Sequence, residues 1–253
     1  MSKQDLNVKK TVEFIREVYG DEKNAADVAV YTHCLSVAKL AEQIAQKLFS
    51  DIRPDLLPQD SQDIIVAIVH SSLLQHVINV GRKNFETIAD VANVQIAAMV
   101  STLSRDYRLV ETKRDIEYRG RLSQSPLATQ IVAVAGIICM AQEIVRFLDK
   151  HGLANLPRVR KILAQIDADL LVIHAASRYY TLRLYVHAAR NLITDANQTI
   201  KKLKTVVRNA KQMERLTASV ELKLAAKKGV PEEPANKKEL SRGKKRAAKR
   251  NSD

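Results

Sequence analysis

Between residues 24 and 49 the apolar side chains fall on two stripes at once. One reads Val28, Tyr31, Leu35, Ala38 and Ala45, the other Val30, His33, Val37, Leu40 and Ile44. Both have the three- and four-residue spacing of an α-helix. A surface helix carries one such stripe, so a helix carrying two must be covered on most sides. Covering it takes a bundle, and the same periodicity recurs over 62–79, 84–92, 93–104, the stretch up to about 149, and two long segments, 157–189 and 190–228. Pro54 and Pro58 break the pattern over 50–60, leaving Asp60 or Ser61 to cap the next helix. Ser125 followed by Pro126 reads as an N-cap and first-turn proline. Seven glycines, six prolines and no tryptophan leave too few turn residues and aromatic strands for a barrel or sandwich. The fold class expected is all-α.

The longest apolar run, Ile131 to Ala141, is 11 residues. A membrane span needs roughly 20, so this run reads as a buried core helix. Cys34 and Cys139 cannot form a disulfide framework, and the opening MSKQDLNVKK has no apolar signal region. A cytoplasmic protein with no membrane partner is the expectation. The sequence carries no Walker A loop, GxGxxG, CxxC, HExxH or GxSxG, which disfavours P-loop, dinucleotide-binding, zinc-ribbon and α/β-hydrolase chemistry.

Charge divides the chain. Residues 201–253 hold 17 Lys/Arg against 6 Asp/Glu, a net of +11, whereas the first 200 are nearly neutral at +2. Lys204, Arg208, Lys211 and Arg215 follow one another at helical spacing, opposed by an apolar side that includes Ile200, Leu203, Val207, Ala210, Met213 and Val220. Beyond the prolines at 231 and 234, RGKKRAAKR places Lys244, Lys245, Arg246, Lys249 and Arg250 close together in a stretch expected to be disordered from 229 on. Such cations bind phosphate backbones by counterion release, without base preference. A solubilising tail or an address signal would use the same composition, and an acidic protein would suit it as well as nucleic acid. The apolar side also allows pairing with a second copy.

His33 on the first helix, His70 after the run Ile64 to Val69, and the 131–140 helix are the segments that could build a site. Either histidine alone is more often a hydrogen-bonded core residue than a ligand. In order, the chain reads YTHCLSVAKLA, then IIVAIVHSSLLQHV, then NFETIADVANVQIAAMVSTLSRDYRLVETKRDIEY, then SPLATQIVAVAGIICMAQ. This series resembles the HD-domain hydrolases of the RelA/SpoT group, and within it the small single-domain alarmone (ppGpp) hydrolases. The family segments read like HPxxVA, ALLHDxxED, FGxxVAxxVxxvTDD with a basic pair, and VKLADxLxN. The resemblance spans residues 8–150 and implies an HD-type helical domain there, with 151–228 as a helical extension.

The resemblance implies metal-binding roles for His33 and His70. It also marks what is missing. Ser71 stands at the family's metal-binding Asp, Gly136 at its last metal-binding Asp, and Leu74 and Gln75 at the Glu-Asp pair that acts on the attacking water. Lys113, with Arg114 beside it, matches the basic substrate side, and Arg119 and Arg121 extend it; a solvated helix face would look the same. A hard ion such as Mn²⁺ takes carboxylate ligands and lowers the pKa of bound water. With both ligand carboxylates and both water-activating carboxylates absent, no cofactor is expected; Mn²⁺ would be the ion if hydrolysis persisted. Cys139 lies one turn beyond Gly136 and His76 follows His70 by six residues, so two histidines and a thiolate could hold Zn²⁺, or Cys139 could simply pack as a small hydrophobe. The expected function is that of a degenerate HD-domain protein acting as a binding or assembly module. Its pocket could retain an anionic nucleotide, and its basic end would contact nucleic acid or an acidic surface. A metal-dependent nucleotide phosphohydrolase is the alternative.

Overall fold

The computed structural model describes residues 3–52, 58–153 and 155–227, with side chains from 8–51, 61–153 and 155–221. Among them are nine helices and no strand: α1 (Lys3–Tyr19), α2 (Val30–Ile52), α3 (Pro58–Leu74), α4 (Phe85–Val91), α5 (Val94–Leu103), α6 (Glu111–Ser123), α7 (Leu127–His151), α8 (Leu156–Ala176) and α9 (Tyr180–Lys227). The all-α expectation holds.

α7 is the axis of the bundle. Its apolar length is long enough to cross a membrane, but it is mostly buried, against α2, α3, α5 and α8. Ile131, Val134, Ile138, Ile144 and Leu148 all face the core. α2 covers it with Val37, Ala41, Ile44 and Leu48, and turns Val30, Cys34 and Ala38 to a second, smaller core with α1, α4 and α5. The two faces of α2 therefore serve two clusters, as its double stripe requires; Leu35 alone of the stripe residues is exposed. α1, to which the periodicity assigned no boundaries, docks beside Gly81, where a Cβ would lie 2.1 Å from Val18 Cγ1. A larger residue there must push aside the Val18 side chain and crowd Val77 O at 2.9 Å.

Several boundaries differ from the expected ones for local reasons. α2 begins at Val30 instead of 24, because Asn24 Oδ1 accepts from Ala26 N and Val28 N and holds the preceding residues in a turn. α3 starts at Pro58, so Asp60 and Ser61 lie within it instead of capping it. It stops at Leu74, five residues early: the Tyr19 hydroxyl donates to Leu73 O and Val77 N to Leu74 O, which ends the helical ladder. Ser125 does not cap α7; its hydroxyl donates back to Leu122 O, and Pro126 takes the N-cap position. Gly152 (φ 61°) ends α7 in a conformation a side chain resists. The break expected near 189/190 lies at 177–179, where Ser177 O accepts from Arg183 Nε and Ser177 Oγ from Tyr179 N.

The compact body runs to Lys204, and the described residues from Thr205 on form a separate unit. The reason is apolar: Val159, Leu163, Leu170 and Ile173 of α8 and Leu182, Val186, Ile193 and Ile200 of α9 complete the core around α7. In the second unit the described part is helix, and its described side chains are exposed. Lys244, Lys245, Arg246, Lys249, Arg250 and the stretch expected to be disordered lie outside the described residues.

Candidate functional site

A cavity of about 280 Å³ opens between α2, α7, α8 and the turn after α3. His33 of α2 reaches its wall, and so do Gln75 and His76, which the early end of α3 frees from the helix. His33 is 2 % exposed and its Nδ1 lies 3.0 Å from both oxygens of Glu143 on α7. Asn24 Nδ2 donates to the same carboxylate at 2.7 Å. A carboxylate this deeply buried is tolerable only because it is paired and hydrogen-bonded. The acceptor carboxylate fixes Nδ1 as a ring nitrogen that carries a proton. His76 stacks 5.5 Å from His33, centroid to centroid, and burial together with repulsion from His33 pushes its pKa down to about 3.

The other residues singled out as metal positions are arranged differently. His70 and Ser71 are buried but are not among the described residues of the cavity wall. His70 Nδ1 is 2.9 Å from Thr11 Oγ1, and its Nε2 is buried with no hydrogen-bond partner among the described residues. Burial pushes this imidazole toward its neutral form. Ser71 Oγ donates to Met99 Sδ at 3.4 Å. Gly136 does line the cavity, and a Cβ there would lie 3.2 Å from Gln75 Oε1, so the amide packs where a side chain at 136 would begin. Gln75 Nε2 makes no hydrogen bond of good geometry, only a loose approach to the Cys34 sulfur. Burial raises both Cys34 and Cys139 to about 12, keeping them as thiols. No group of three His, Cys, Asp or Glu able to hold a metal occurs among the described residues. The donors present do not fit a hard divalent cation, and they do not assemble the Cys–His zinc set either.

The far wall is ionic, and sequence reasoning missed most of it. Asp169 of α8 accepts from Arg105 and, at 3.0 Å, from Arg119 Nε; Arg105 also donates to Asp115. Arg105 lies over the Tyr118 ring at 4.1 Å. Asp169 is 2 % exposed, and burial raises its pKa while the two arginines pull against that rise. Its signal in the sequence was a carboxylate on the apolar stripe of Ile166, Leu170 and Ile173, just as Glu143 interrupts the apolar face of α7.

The basic residues expected on the substrate side are distributed elsewhere. Lys113 is exposed, and Arg114 packs over Tyr107 at 4.7 Å with Asp115 3.9 Å away. Neither is among the described residues of the cavity wall. Arg119 is committed to Asp169, and Arg121 donates to the carbonyls of Ser101 and Ser104 at 2.6 and 2.7 Å. Arg121 and Arg108 border a neighbouring open cleft, where Asp106 holds Arg108. On α9, Lys204, Arg208, Lys211 and Arg215 are all exposed.

No protein-family model matches the chain, and no curated protein matches it in sequence. Solved structures do match in fold. One, a metazoan ortholog of SpoT that hydrolyses ppGpp, superposes with a TM-score of 0.52 at 9 % identity, covering 75 % of this chain and 94 % of that one. At that identity the likeness is one of fold, and it supports the HD-type bundle expected from the sequence.

Proposed function

We propose that this protein is a non-hydrolytic HD-type binding module whose basic end contacts nucleic acid. One observation carries the first half. Where the resemblance assigns a metal-binding carboxylate and a water-activating carboxylate, Gly136 and the Gln75 amide pack against each other in the cavity wall. Neither group can share charge with a divalent ion or take a proton from water. Of the two buried carboxylates nearby in the fold, Glu143 is occupied by His33 and Asn24 and Asp169 by Arg105 and Arg119. Guanosine and adenosine polyphosphates incubated with Mn²⁺ should show no turnover above a His33→Ala/His70→Ala control. Turnover above that control overturns the reading in favour of a metal-dependent phosphohydrolase.

The exposed row Lys204, Arg208, Lys211 and Arg215 supports the second half, with the cations beyond 240 as its continuation in sequence. Phosphate neutralisation gives a log–log salt slope of roughly 0.7–0.9 per contact. Filter binding of the full chain to nucleic acid should weaken steeply with salt. Replacing all four row residues by serine should reduce the slope by about 3. An unchanged slope removes the row from the interface.

A further inference from the structure

We infer that the 280 Å³ cavity is a site for an uncharged heterocycle, its anion subsite being filled from within by Asp169. The inference rests on the non-hydrolytic reading and specifies what that site binds. The charges on the wall cancel internally. Arg105 is the one Lys or Arg among the described wall residues, and both Asp169 and Asp115 already accept from it; Arg119 behind it is bound to Asp169 as well. A phosphate entering the cavity would meet a carboxylate where it needs a cation, and would displace a buried ion pair to be held at all. An anionic nucleotide, one of the ligands its ancestry suggests, is therefore a poor fit.

What the wall does offer is neutral hydrogen-bonding capacity set among apolar side chains. The amides of Gln75 and Asn79 carry donors and an acceptor, and Gln165, whose Nε2 donates to Asp115, keeps its acceptor. Gln75 is 7 % exposed with its Nε2 lacking a good partner, so a ligand acceptor would satisfy a group the fold leaves unmet. Ile137, Met140, Ile162 and Ile166 supply the apolar remainder. Side-chain amides pair naturally with the adjacent donor and acceptor of a ring amide or amidine, as in nucleobases. The volume admits one such ring system.

The test uses the full chain in thermal denaturation, with adenosine, guanosine, cytidine and uridine as probes beside their 5′-triphosphates and inorganic phosphate. At least one nucleoside should raise the melting temperature by about 3–5 °C at ten times its Kd. Its triphosphate should not. Gly136→Leu, which fills the cavity from the position where a Cβ already touches Gln75, should abolish the shift. Asp169→Asn, if it folds, should lose selectivity and gain a shift with inorganic phosphate. The inference fails if no nucleoside shifts the wild-type protein, if a triphosphate shifts it as much, or if Gly136→Leu responds like wild type. Nucleoside silence without Mn²⁺-dependent turnover sinks this inference alone; turnover sinks the non-hydrolytic reading.

Discussion

Alanine at position 169 is expected to destabilise the fold by about 3–5 kcal/mol, the range for removing one partner of a buried ion pair. Asp169 is buried and accepts from both Arg105 and Arg119. Without it, Arg119 loses its carboxylate and Arg105 keeps only Asp115, while Arg105 remains packed against Tyr118 and cannot easily turn to water. The surviving Asp115 contact places the loss toward the lower end of the range. For a chain this long, about 3 kcal/mol corresponds to a fall in Tm of roughly 6–12 °C. Urea unfolding of Asp169→Ala against wild type measures it, and a difference under about 1 kcal/mol would show that the pair adds little. Replacing Arg105, Arg119 and Asp169 together by apolar residues should recover much of the loss, because the penalty lies in the orphaned charge more than in the missing attraction.

Acid should unfold this protein earlier than its carboxylates alone would dictate. His76 titrates near 6.5 in an unfolded chain and near 3 in the native one. Above pH 6.5 both states are neutral there and the group contributes nothing. Between 6.5 and 3 the unfolded state binds a proton that the native state refuses, so stability falls as pH falls, by at most about 1.4 kcal/mol per unit. Below 3 the loss is complete. His70 is shifted the same way by burial and steepens the slope. Asp169 opposes it, since its raised pKa lets the native state take up that proton first. Urea midpoints from pH 7.5 to 4 should decline steadily, and His76→Asn should flatten the decline. A wild-type profile flat from pH 6.5 to 4.5 would contradict the lowered native titration of His76 and His70.

The helices were legible because their stripes were; the site was not. Two stripes on one segment already required a helix inside a bundle, and α2 serves two cores. The short helices α4 and α5 start at Asn84 and Asn93, whose side chains accept from Thr87 N and Ile96 N, an N-cap chemistry that is local and therefore readable. The end of α3 was unreadable since its cause, the Tyr19 hydroxyl on Leu73 O, lies 54 residues away. The same holds for the cavity. His33 and Gly136 were found by resemblance, but Glu143, Arg105 and Asp169 acquire meaning only when α7, the 104–110 loop and α8 meet. The departures from the acidic positions of the resembled motifs could be counted in the sequence. That the cavity charge is cancelled from the C-terminal side could not.

α9 is one unbroken ladder of backbone hydrogen bonds over 48 residues, yet it has no single lifetime. Up to Ile200 its apolar side chains belong to the core, and opening there requires the body to unfold. From 206 to 221 the described side chains are exposed, so opening there need not disturb the core. The cations at 208, 211 and 215 thus sit on a segment that can open while the core stays closed. A phosphate backbone laid along it would meet a helix completing itself on contact, and part of each encounter's free energy would go into that ordering.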